Sequence, residues 1–156
     1  MALEQEIGTI LAERGLTLAV AESCTGGLVG HRITSVAGAS RYFLGGILAY
    51  ADAVKVACLG VESALLEQEG AVSADVAEAM AVGVRRALGA DIGAAVTGIA
   101  GPGGGSPEKP VGLVFLAVCD GEEGQVRRRQ FAGDREEIRR QAATEALKLV
   151  NDYLKR

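Results

Sequence analysis

The chain has little of the side-chain chemistry that most enzymes use: among 156 residues there is one histidine, His31, and no tryptophan. A single imidazole excludes a histidine-rich zinc site, and a Ser-His-Asp triad would need His31 itself. His31 has no obvious carboxylate partner and reads as a structural or solvent-facing residue. Three Phe and three Tyr are too few for a base-stacking platform, which argues against a nucleic-acid partner. The three cysteines, Cys24, Cys58 and Cys119, are odd in number, widely spaced and without a C-x-x-C pair. They read as reduced thiols in a cytoplasmic protein. No apolar run approaches the ~18 residues of a membrane span, and Glu4, Glu6 and Glu13 at the start of the chain do not suit a secretion signal.

Proline is equally scarce, and its placement is informative. All three prolines, Pro102, Pro107 and Pro110, fall in one nine-residue window that also holds Gly103, Gly104 and Gly105, in a chain with 22 glycines. What is abundant is apolar material: 49% of residues are hydrophobic, 23% are charged, and the mean hydropathy is +0.23. This composition predicts a single domain over residues 1–156 with a well-filled core. The net charge of −4 hides an asymmetry. Residues 1–124 carry seven basic and fifteen acidic side chains (−8), and residues 125–156 carry nine basic and five acidic (+4). The C-terminal segment is suited to a small anion, while the acidic whole is a poor nucleic-acid binder.

Residues 3–14 place Leu3, Ile7, Ile10 and Leu11 at helical spacing and stop at Gly15, which predicts an amphipathic helix with a glycine cap. The run 16–21 (LTLAVA) predicts a buried strand, and the polar SCTGG after it a turn into a helix over about 26–36. A second strand is expected over 44–50 and short helices over 52–59 and 62–69. Ser73 is the expected N-cap of a helix carrying Val76, Met80, Val84 and Leu88 and closed by Gly89. The runs 92–97 and 111–119 are apolar at nearly every position, as strands covered on both faces are. Residues 120–124 read as a turn, and 125–131 (QVRRRQF) as a polar edge strand. The last helix begins at Asp134 with Glu137 completing a capping box. Helices alternating with doubly covered strands predict a three-layer α/β/α sandwich, made mixed by the hairpin-like final pair of strands.

Several segments could carry chemistry. The window 97–110 (TGIAGPGGGSPEKP) matches neither G-x-x-x-x-G-K-[ST] nor G-x-G-x-x-G, so it is no ordinary nucleotide loop. Glycine-dense backbone still offers N–H groups to an anion or oxyanion, and a flexible surface hairpin is the alternative. The turn AESCTGG (21–27) puts Ser23, Cys24 and Thr25 at the end of a strand, the usual site position in an α/β sheet; Ser23 and Thr25 would equally serve as helix caps. The patch 38–42 offers Ser40, followed by Tyr50 and Lys55. A serine and a neutral lysine suffice for acyl transfer without histidine. Lys55 is the sole lysine before Lys109 and stands in an otherwise apolar helix (AVKVACL), where a snorkelling surface residue is the alternative. Arg135 and Arg139, one turn apart, can clamp a phosphate or carboxylate together, or pair with Glu136 and Glu137.

The ordered set AESCTGG (21–27), GAS (38–40), GGILAYADAVKVACLGV (45–61), GAVS (70–73), TGIAGPGGGSPEKPVG (97–112) and GDR (133–135) closely resembles the CinA C-terminal domain family, which includes stand-alone nicotinamide-nucleotide amidases. The resemblance spans essentially the whole chain. It implies a metal-independent, cofactor-free amidohydrolase that converts nicotinamide mononucleotide to nicotinate mononucleotide and ammonia, and a homodimer or higher homo-oligomer. Carried onto this sequence, it implies Ser40 as nucleophile, Lys55 as its base and Tyr50 as a relay or orienting group. It further implies Ser23 and Thr97 as substrate-site hydroxyls and Arg135 or Arg139 as phosphate anchor. Ser23 is the other candidate nucleophile. Thr25, with Gly98 and Gly101 of the glycine-rich window, completes the expected substrate-binding set. Many relatives read G-S-S where this chain has Gly38-Ala39-Ser40. A non-catalytic nucleotide-binding or interaction module of the same fold is the rival reading. Full-length relatives carry an additional N-terminal domain, for which 156 residues leave no room.

Overall fold

Three stretches of the chain, Leu18–Glu22 (β1), Ile92–Gly98 (β3) and Leu113–Cys119 (β4), are buried at almost every position, as strands covered on both faces must be. In the computed structural model, which describes all 156 residues, they form the middle of a five-stranded sheet. Phe43–Leu48 (β2) and Gly124–Gln130 (β5) lie at its edges, in the order β2-β1-β3-β4-β5. The β1/β2 and β1/β3 pairs are parallel, whereas β3/β4 and β4/β5 are antiparallel. The sheet is therefore mixed, as the sequence predicts, and β5 is the polar edge, with six of its seven residues exposed.

The helices fall into two layers. Leu3–Arg14 (α1), Leu28–Thr34 (α2) and Arg135–Leu154 (α6) cover one face, where they meet Val20, Ala94, Val96, Leu116 and Val118. Asp52–Leu59 (α3), Ser63–Glu69 (α4) and Ala74–Leu88 (α5) cover the other, over Ala19, Ala21, Ala95 and Ala117. The small residues on this second face reflect close approach by α5. A Cβ on Gly93 would lie 2.3 Å from the Ala81 carbonyl oxygen and 2.7 Å from Arg85 Cβ.

Local signals set the helix ends. Ser73 accepts a hydrogen bond from Val76 N to start α5, and Gly89 closes it with a left-handed φ of 66°. Asp134 and Glu137 form the expected capping box on α6. No helix is long and apolar enough to cross a membrane.

The connection from β1 to β2 runs through α2 on one face, and that from β2 to β3 through α3, α4 and α5 on the other. Chain directions diverge beyond the carboxyl ends of β1 and β3, the switch point at which an open α/β sheet offers a ligand crevice. Ser23 immediately follows β1, and its N–H donates to the Val96 carbonyl at 3.1 Å.

Candidate active site

Lys55 lies on α3, whose first turn follows directly from the carboxyl end of β2. Its side chain is 1% exposed and turns back toward the sheet. There Nζ donates to the Ala49 carbonyl at 2.8 Å and the Tyr50 carbonyl at 3.0 Å, and stands 3.2 Å from Ser23 Oγ. The nearest carboxylate, Asp52, is 3.9 Å away and 61% exposed, so the lysine has no buried counter-ion. Burial pushes the Lys55 ammonium below the ordinary lysine range, against smaller upward pulls led by Asp52. A carbonyl oxygen can only accept, so when the amine is neutral its two N–H groups serve Ala49 and Tyr50. The lone pair is then left facing the Ser23 hydroxyl, which is the arrangement a general base needs.

The expected Ser40–Lys55 pair does not form. Ser40 is exposed, in the short 3-10 turn Ala39–Arg41 that precedes β2. Lys55 follows the opposite end of that strand. Six residues of strand span about 20 Å, which puts the two residues at opposite ends of β2. Ser23, 32 positions from Lys55 in sequence, meets it because β1 and β2 are parallel neighbours whose carboxyl ends coincide. Tyr50 also departs from expectation. Its carbonyl contacts Lys55, while its 64% exposed side chain accepts from Arg135 Nη2 at 3.2 Å.

The turn after Ser23 is held from two sides. Arg139, from α6, donates through Nε to the Cys24 carbonyl at 3.0 Å and through Nη2 to the Thr25 carbonyl at 3.2 Å. In a planar trans peptide C=O and N–H point opposite ways, so the Thr25 N–H points away from Arg139. The Ser23 carbonyl likewise accepts from Gly26 N at 3.2 Å, which turns the Cys24 N–H outward from that bond. Neither the Cys24 nor the Thr25 N–H donates to another protein group. Two adjacent free N–H groups directly after a serine are a suitable receptor for an oxyanion. Burial pushes the Cys24 thiol up to about 11; it stays protonated at neutral pH and does not compete with Ser23.

Glu22, not among the expected site residues, closes the other side of this turn. It is 2% exposed. Its Oε1 accepts from Thr25 Oγ1 at 2.6 Å, Gly27 N at 3.2 Å and Val29 N at 2.9 Å, and its Oε2 from Gly30 N at 3.0 Å. Gly27, at the N-cap of α2 with φ of 108°, has no side chain to supply this cap. The only sequence signal for Glu22 was a charged residue ending an apolar strand.

The remaining expected residues divide into two groups. Thr25 and Thr97 are buried, their hydroxyls committed to Glu22 and to the Ala71 carbonyl at 2.9 Å. Gly98 ends β3, where a Cβ would lie 2.7 Å from Val114 Cγ2. Gly101 is reached by Arg135, whose Nη1 donates to its carbonyl at 2.7 Å. Arg135 and Arg139 thus gather the post-β2 segment, the glycine-rich loop and the serine turn around the crevice. The loop is closed at its base by Ile99 and Gly112, which exchange bonds with the Leu113 and Ile99 carbonyls, and residues 102–108 are exposed. The α2 N-terminus is filled by the Glu22 carboxylate. A groove of about 520 Å3 between α3, α4 and α5, lined by Cys58, Leu65, Gly83 and Arg86 among others, shares no residue with this cluster.

A sequence model of the CinA C-terminal domain matches residues 1–154. A CinA-like protein of Geobacter sulfurreducens is 52% identical over 154 residues, covering 99% of this chain and 36% of that protein. The chain spans about a third of the length of the curated relatives it matches. Among solved structures, the competence/damage inducible protein CihA of Agrobacterium tumefaciens is 39% identical with a TM-score of 0.95, covering 99% of this chain and 94% of its own. A CinA superfamily protein of Klebsiella pneumoniae is 31% identical with a TM-score of 0.94, covering 98% and 96%. With sequence and fold in agreement along nearly its whole length, the chain belongs to the CinA C-terminal domain family.

Proposed function

We propose that the chain is an amidohydrolase that converts nicotinamide mononucleotide to nicotinate mononucleotide and ammonia, with Ser23 as nucleophile and Lys55 as its base. The observation that carries the chemistry is the buried Lys55 Nζ, 3.2 Å from Ser23 Oγ with its other partners both carbonyls. The choice of substrate rests on the family resemblance and on the two arginines beside the crevice.

Lys55 takes the proton of Ser23 as Oγ attacks the carboxamide carbon. The oxyanion of the tetrahedral intermediate is received by the N–H groups of Cys24 and Thr25. The intermediate collapses as the C–N bond breaks and the nitrogen takes the proton from Lys55, leaving as ammonia. A water then gives a proton to Lys55 and attacks the acyl carbon. Collapse of the second intermediate breaks the bond to Ser23, which recovers its proton and releases the carboxylate. Arg135 and Arg139 are the cationic groups available to the 5′-phosphate.

Ammonia release from nicotinamide mononucleotide by Ser23→Ala, Lys55→Ala and Ser40→Ala variants tests the assignment. The first two lose at least about a thousandfold in kcat, and Ser40→Ala retains turnover. An inactive Ser40→Ala beside an active Ser23→Ala would reverse the nucleophile. Tight binding of the mononucleotide without turnover by the wild type would reduce the chain to a nucleotide-binding module.

A further inference from the structure

We infer that Glu22 is a positioning residue for the oxyanion-binding turn, acting through the Thr25 hydroxyl rather than by touching substrate. The inference rests on Ser23 being the nucleophile. Glu22 is enclosed and forms no ion pair with lysine or arginine. One hydroxyl and three backbone N–H groups of residues 25–30 hold its charge. A buried carboxylate with this many donors is costly to place and strongly fixed once placed. The N-cap of α2, Gly27, has a φ of 108° that an ordinary Ser or Asp cap would adopt only with strain. Here the cap comes instead from the residue immediately before Ser23.

The connectivity explains what this arrangement adds. Between Glu22, fixed in β1, and Val29, fixed by the carboxylate, lie the three residues of the site, Ser23, Cys24 and Thr25. The Ser23 N–H is tied to Val96. The carbonyls of Cys24 and Thr25 are tied to Arg139. The Thr25 side chain is tied to Glu22 at 2.6 Å. The bonds from Gly26 N to the Ser23 carbonyl and from Leu28 N to the Thr25 carbonyl also brace the turn; removing the Glu22 tie to the Thr25 side chain loosens it, and the Cys24 and Thr25 N–H groups are held less firmly. Oxyanion donors act on the transition state and not on bound substrate. A loosened turn therefore lowers kcat and leaves KM in place.

Two substitutions test this. Glu22→Gln puts an amide NH2 against one of the backbone donors, and Thr25→Val removes the hydroxyl at nearly constant volume. Each is expected to lower kcat for nicotinamide mononucleotide by about ten- to a hundredfold, a fraction of the loss when an oxyanion donor is deleted outright. KM is expected to stay within about threefold and the pH midpoint of the Lys55 limb to remain unmoved. Thr25→Ser, which restores the hydroxyl, recovers most of the loss suffered by Thr25→Val. The rate at which a fluorophosphonate labels Ser23 falls in parallel, and this readout does not depend on the amide substrate. Thermal melts confirm that each variant is folded at the assay temperature. If Glu22→Gln fails to fold, Thr25→Val and Thr25→Ser decide the matter alone. Folded variants with wild-type kcat and labelling rate, or with KM raised and kcat intact, overturn the inference. A wild type that turns over amide by a nucleophile other than Ser23 overturns the reading beneath it, and an unlabelled, inactive wild type overturns both.

Discussion

Replacing Lys55 by methionine, which is close in length and carries no charge, tests whether the folded protein holds this lysine neutral. The Lys55 ammonium is 1% exposed and lacks a buried counter-ion, and burial holds it below the ordinary range. In the unfolded chain it titrates near about 10.4. Between the lowered folded value and that figure, the unfolded chain holds a proton that the folded protein has released. Stability contributed by this group therefore rises with pH through that window, by no more than about 1.4 kcal/mol per pH unit. Below the folded value both states are protonated, and the contribution is flat at its lowest level. In Lys55→Met this titration is gone. The carbonyls of Ala49 and Tyr50 lose their donors, at about 1–3 kcal/mol each, offset by removal of a buried amine. Urea unfolding of both proteins at intervals from pH 7 to 10 gives a difference, wild type minus variant, in which all other groups cancel. That difference is expected to climb with pH. A flat or falling curve would show that Lys55 titrates as an ordinary lysine and would remove the physical basis for its role as base.

Two further outcomes follow from named contacts. Gly93→Ala would force a methyl to within 2.3 Å of the Ala81 carbonyl oxygen; backbone on both sides cannot yield cheaply, so a loss of about 3 kcal/mol is expected in chemical denaturation. Arg135→Ala removes the bonds to the Gly101 carbonyl and the Tyr50 hydroxyl and, on the proposed reading, a phosphate contact. KM for nicotinamide mononucleotide should rise roughly ten- to a hundredfold, as loss of a charged hydrogen bond implies, while KM for the corresponding nucleoside stays unchanged. An equal effect on both substrates would place the phosphate elsewhere.

The sequence by itself determined what depends on neighbours along the chain. Ser73, Gly89 and the Asp134–Glu137 box set helix ends through hydrogen bonds spanning three or four residues. The apolar runs at 92–97 and 111–119 became central strands because only a doubly covered position buries every side chain. The polar run from 125 became an edge for the converse reason. The mixed sheet and the three layers follow from that order of elements.

Tertiary structure alone decided which serine meets the lysine. Ser with Lys is a sufficient pair on chemistry, and the family resemblance implied Ser40 as its serine, with Ser23 the other candidate. The intervening strand then carries Lys55 to the carboxyl end of β2, while parallel pairing of β1 with β2 delivers Ser23 there. The same holds for the burial of Lys55, which in an apolar helix looks like a surface residue until the sheet it faces is known. Glu22 differs, since its four donors lie three to eight residues further along the chain, and only its burial depends on the rest of the fold. Periodicity reports which face of an element is buried. It does not carry the direction in which neighbouring strands run, and here that direction selects the residues that share the site.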